Sequence, residues 1–175
     1  MTGRNTLIVS FAVVFLINLF LIPVAYSRFL SVTVAVDGMA CPFCAYGVEK
    51  KLKKVVGVGS ISIDMESGKA TLTAAEDSSI DLPGVPVAIR KSGFTPGEIQ
   101  VIATGTIEKS DADGFILVSR DTQEGSPLIA GGEIIHKALV LFSKSGGMVI
   151  LTGVVEIGSD GGITMIPKTA EKYMK

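Results

Sequence analysis

The chain has 175 residues, with 16 basic and 17 acidic groups and a net charge of −1, so nothing in its charge points to a nucleic-acid partner. Hydrophobic residues make up 47% of it, enough to bury the core of one domain of ordinary size or of two small ones. It holds two cysteines and one histidine.

The first 27 residues stand apart. No charge occurs from Asn5 to Ser27, and Leu7 to Val24 is aliphatic or aromatic except at Ser10 and Asn18. A secretory signal has an apolar core of roughly 7 to 15 residues and a spanning helix needs about 20, so residues 1–27 read as a signal peptide or a membrane anchor. The small residues of Ala25-Tyr26-Ser27 form a cleavage-type pattern that would leave a mature chain starting near Arg28. Either reading places the remainder outside the cytoplasm, in a periplasm or on the outer face, membrane-anchored or secreted. Without Arg4 the net charge of that remainder is −2.

Residues 28–104 alternate between strand and helix periods. Phe29 to Val36 predicts a strand, with Leu30, Val32, Val34 and Val36 on one face. Asp37-Gly38 breaks it, and the run Gly38-Met39-Ala40-Cys41-Pro42-Phe43-Cys44 follows. From Pro42 the apolar residues Ala45, Val48, Leu52 and Val55 recur at helical spacing, up to a stop at Gly57. Ser60–Met65 and Lys69–Ala74 read as a hairpin turning at Glu66-Ser67-Gly68. A second helix is expected from about Pro83 to Ser92, with Asp81 as its cap and Gly93 as its stop, and Glu98–Thr104 supplies a last strand. The β-α-β-β-α-β order is that of a ferredoxin-like α+β domain.

Residues 105–175 have a different texture. Glycine pairs at 131–132, 146–147 and 161–162 recur every 15 residues and read as successive hairpin turns. The candidate strands are Phe115–Ser119, Glu133–Phe142, Met148–Ile157 and Ile163–Ile166, with another through Val101–Ile107. They suggest a small antiparallel β domain, a barrel of the OB type being one such form. Its role is not legible in the residues.

The chemistry lies in the two cysteines. Two thiols separated by two residues, where a strand hands over to a helix, can grip one soft metal ion or close into a small disulfide ring. The free N–H groups and positive dipole end of the helix favour thiolate, which is also the metal-binding form. Two thiolates suit Cu(I) or Hg(II); zinc, which normally takes four ligands, and cadmium come after them. A disulfide across so short a loop constrains little of the unfolded chain, so a purely structural staple is a poor use of the pair.

The unbroken match of Gly38, Met39, Cys41 and Cys44 to Gly-Met-x-Cys-x-x-Cys resembles the hallmark of heavy-metal-associated domains, found in copper chaperones, the periplasmic mercury-binding protein and metal-transporting P-type ATPases. Val48-Glu49-Lys50-Lys51-Leu52, the Val55-x-Gly57-Val58 turn and Gly93-Phe94 are similar to that family's helix, following turn and aromatic step, so the resemblance covers about residues 29–103. It implies Cys41 and Cys44 as metal ligands, Met39 packed beneath the loop without bonding the ion, Gly38 as part of the loop, and Phe94 shielding one side. It also implies hand-over of the ion to a metal-transporting membrane protein. Pro42 and Phe43 depart from the small or polar residues common between the family's cysteines.

Cys-Pro-Phe-Cys is also similar to the Cys-Pro-x-Cys of disulfide oxidoreductases, which makes an extracytoplasmic thiol–disulfide oxidoreductase the alternative. The hairpin directly after the first helix does not fit that scaffold, and Pro86 matches its active-site proline by residue type only. Lys50, Lys51, Lys53 and Lys54 read first as the solvated face of a helix and second as a docking patch for an acidic partner. The lone His136, placed in a strand, reads as structural rather than as a third ligand, and Met148 and Met165 as core filling. No paired carboxylates, Ser-His-Asp set or phosphate-binding loop appears, so the expectation is a binding protein and not an enzyme.

Overall fold

The computed structural model describes residues 28–110, 114–118 and 125–173. The apolar run and cleavage pattern before Arg28 therefore lie outside the described residues. Among the described residues no helix is long and apolar enough to cross a membrane.

The alternation read from the first half is realised as β1 (Arg28–Asp37), α1 (Pro42–Leu52), β2 (Val58–Asp64), β3 (Lys69–Ala74), α2 (Gly84–Arg90) and β4 (Thr95–Lys109). Period-two burial drives β1: Val32, Val34 and Val36 are buried, while the residues between them face outward. The four strands pair in the order β2-β3-β1-β4, all antiparallel, which with the two helices makes a ferredoxin-like α+β sandwich. Gly57 ends the turn after α1 at φ +81°, and a Cβ there would collide with the carbonyl oxygen of Ser79, so only glycine fits.

One expected detail is corrected. Asp81 does not cap α2: the cap position is Pro83, with no side-chain hydrogen bond, and Asp81 instead accepts from the Gly84 N–H through its backbone oxygen at 3.2 Å. Gly93, at φ +89°, does terminate the segment.

β4 does not stop at Thr104. It runs on to Lys109, so the boundary drawn at 104/105 falls inside one strand. Its stretch Ile99–Thr106 pairs antiparallel with β7 (Met148–Ile157), and Thr106–Lys109 pairs with β5 (Phe115–Val118). β5 pairs with β6 (Gly125–Leu128), β6 runs parallel to β8 (Ile163–Lys172) at Leu128 and Met165, and β8 returns to β7. The pairings β4-β5-β6-β8-β7-β4 thus form a closed circuit of five strands, sharing β4 with the first unit. The shared strand also merges the cores. Val32, Leu52 and Ile89 of the first unit belong to one buried cluster with Ile107, Leu117, Leu151 and Met165 of the second.

The expected strand Glu133–Phe142 is a helix, α3 (Glu133–Ser145). Its residues are apolar at consecutive places, which leaves the period ambiguous, but Leu139 is fully buried while Leu141, two places on, is 65% exposed. A strand would have put both on one face; a helix separates them. Two of the three glycine pairs accordingly bound this helix instead of turning hairpins: Gly132 precedes it and Gly146, at φ +65°, caps its end. The third pair does make a hairpin, between β7 and β8, with Gly161 at φ +84°. β6 was not anticipated from the residues.

Candidate metal-binding loop

β1 ends at Asp37, paired with Thr95 at the start of β4, and the chain then reverses through Gly38 at φ +84°. The Ala40 N–H donates to the Gly38 carbonyl at 2.9 Å, closing the loop. Met39 turns inward and is almost wholly buried within the core cluster. Phe94 is half-buried against that core, and a Cβ on Gly38 would lie 3.8 Å from its ring. Met39 thus lies below the loop and Phe94 beside it.

Cys41 is the N-cap of α1 and Pro42 occupies its first turn, the place where proline costs a helix no hydrogen bond. The Cys44 N–H donates to Cys41 Sγ at 3.1 Å, so one sulfur already receives a helix amide of the kind that stabilises thiolate. Both cysteines are partly exposed. They form a disulfide, with Cα atoms 5.1 Å apart. The two sulfurs are thus held at one place on the surface, at the end of a ferredoxin-like sheet.

The other residues singled out do not converge on this loop. His136 sits on α3, exposed, and packs edge-on against Phe115 with ring centroids 5.5 Å apart. Among the described residues no group of three or more His, Cys, Asp or Glu could hold a metal ion. Met165 is fully buried and Met148 half-buried. Pro86 lies inside α2, packed into the core. The residue pattern did not single out Tyr46. With Phe43, 88% exposed, it makes a two-ring apolar surface beside the cysteines, for which the i, i+3 spacing on α1 was the available signal.

A pair of cysteines joined at one end of a βαββαβ sandwich defines a small α+β domain with a sulfur site at its surface. Residues 33–95 match the model of the heavy-metal-associated domain. A copper-transporting ATPase 2 of Rhizobium meliloti (strain 1021) is 28% identical over 122 residues, 70% of this chain and 14% of the ATPase. The chain thus spans about one seventh of that relative. The copper chaperone CopZ of Staphylococcus saprophyticus is 29% identical over 62 residues, 35% of this chain and 90% of the chaperone. Among solved structures, oxidized MerP from Ralstonia metallidurans CH34 is 25% identical, covering 41% of this chain and 94% of its own, with a TM-score of 0.35.

Proposed function

We propose that this protein captures a soft, thiophilic ion through Cys41 and Cys44 and passes it on by ligand exchange. The observation that carries the reading is the placement of both sulfurs on one exposed loop, at a helix start, within the segment matched to the heavy-metal-associated family. Cu(I) and Hg(II) are the ions two thiolates suit, and the two copper-named relatives favour Cu(I). Capture requires the dithiol. A reducing dithiol supplies two electrons and two protons to open the Cys41–Cys44 bond, and the ion then displaces the protons from the two sulfurs.

Met39 holds the loop from beneath and Phe94 covers one side, so the open side is that of Phe43 and Tyr46. An incoming thiolate from a partner adds there, forms a three-coordinate ion and leaves with it. A metal-transporting membrane protein is the partner we propose. The site acts outside the cytoplasm, on a chain anchored or exported by residues 1–27. The closed five-strand circuit, with α3 between its third and fourth strands, supports a small OB-type barrel as the C-terminal unit.

The test is metal content of the reduced full chain beside a Cys41→Ser/Cys44→Ser form. About one thiol-dependent Cu(I) per chain is expected, and none in the double variant. The observed disulfide favours a second reading, thiol–disulfide exchange. Insulin reduction by the wild type, lost in the double variant, together with no bound ion, would establish it instead.

A further inference from the structure

The end of α1 far from the cysteines carries a second surface. Between α1 and α2 runs a groove of about 610 Å³ with Val55, Val56, Val87 and Ala88 along it and Lys51, Lys54 and Lys91 around it. Asp81 is the one carboxylate in its lining. Val56 is 73% exposed and Val87 41%, so aliphatic side chains stand in water inside a ring of ammonium groups. Lys53 has its charge matched by Glu49, but no ion pair among the described residues engages the three lysines of the groove. This combination of apolar centre and cationic rim fits a ligand that is apolar within and anionic at its surface.

The chain itself leads to this place. The Phe29 N–H donates to Ser79 Oγ at 3.1 Å, the Ile80 N–H to the Phe29 carbonyl at 3.3 Å, and the Asp81 N–H to the Val56 carbonyl at 3.0 Å. The uncharged run Asn5–Ser27 therefore joins the fold beside Val56, at the opposite end of β1 from the cysteine loop. Ten residues of strand put about 30 Å between those two ends.

We propose that the α1–α2 groove seats on an anionic lipid surface, with Lys51, Lys54 and Lys91 among the headgroups and Val56 and Val87 against the acyl boundary. Cys41 and Cys44 then face away from the membrane, into water. Charge complementarity and the point at which the apolar run joins select lipid over a protein partner. This inference does not depend on ion capture.

The full chain, mixed with phosphatidylcholine vesicles or with vesicles that also contain phosphatidylglycerol, is followed by amide hydrogen exchange. Anionic vesicles slow exchange about tenfold at Val55–Gly57 and Val87–Lys91, leave Cys44–Tyr46 unchanged, and lose the effect in high salt and in the Lys51→Gln/Lys54→Gln/Lys91→Gln variant. Equal exchange with both vesicles, or protection that survives in the triple variant, overturns the proposal. Protection by a polyglutamate peptide but by neither vesicle assigns the groove to an acidic protein and overturns it equally. Cu(I) binding by the same samples reports separately on the cysteine loop.

Discussion

Met39 shows how one side chain sets the geometry of the cysteine loop. It is buried beneath a turn that Gly38 makes at φ +84°, so the position of the sulfurs depends on a core contact as much as on the cysteines themselves. Met39→Ala is expected to cost about 2 to 5 kcal/mol in urea unfolding, and to weaken Cu(I) binding by the reduced protein while leaving both thiols in place. Unchanged affinity would show that the loop holds its shape without the anchor. A second residue-scale expectation concerns Asp64 in the β2–β3 turn. Its carboxylate accepts from the Ser67 hydroxyl at 2.6 Å and from the Ser67 and Glu66 N–H groups, which lowers its pKa below the ordinary 3.8. A depressed folded-state pKa stabilises the turn above the unfolded value, and that stabilisation is lost as pH falls through the folded one. An NMR titration should therefore give Asp64 a midpoint below 3.8 in the wild type and nearer to it in Ser67→Ala.

At the scale of elements, α3 separates periodicity from composition. Leu139 has no exposure and Leu141 has 65%, and this contrast exists only if the segment is helical. Leu139→Ala should cost about 2 to 5 kcal/mol and Leu141→Ala within about 0.5 kcal/mol in thermal or urea unfolding. Equal losses at both positions would restore the strand first expected for Glu133–Phe142. The strand failed as an expectation because glycine pairs punctuate a chain without saying what lies between them. Gly146 ends a helix and Gly161 turns a hairpin, both with a positive φ, +65° and +84°. The first half was easier to read because its apolar residues are spaced: Val32, Val34 and Val36 can only be a strand face, and Val48 and Leu52 a helix face.

For the whole molecule the decisive feature is β4. Fifteen residues long, it pairs with β1 on one side and β7 on the other over much of its length, then passes from β1 to β5 after Thr104. The two halves share this strand and one buried cluster, so they are expected to unfold together. Hydrogen exchange at Val32–Val36 and at Val149–Val155 should report the same opening free energy. A fragment ending at Thr104 should unfold at lower urea than the full chain, because it strips β7 from β4 and exposes that edge. Two separate transitions in the full chain would refute the coupling.

From the residues alone came the dithiol loop, its place between a strand and a helix, and the order of elements through residue 104, because these depend on neighbours within a few positions along the chain. The burial of Met39 and the place of Phe94 beside the loop are specified by no local spacing. The continuation of β4, the circuit it closes with β7, the helix at Glu133–Ser145 and the lysine-rimmed groove were decided by tertiary structure. Each of these depends on which distant segments bury one another, and hydrophobic pattern along a chain says that a face must be covered without saying by what.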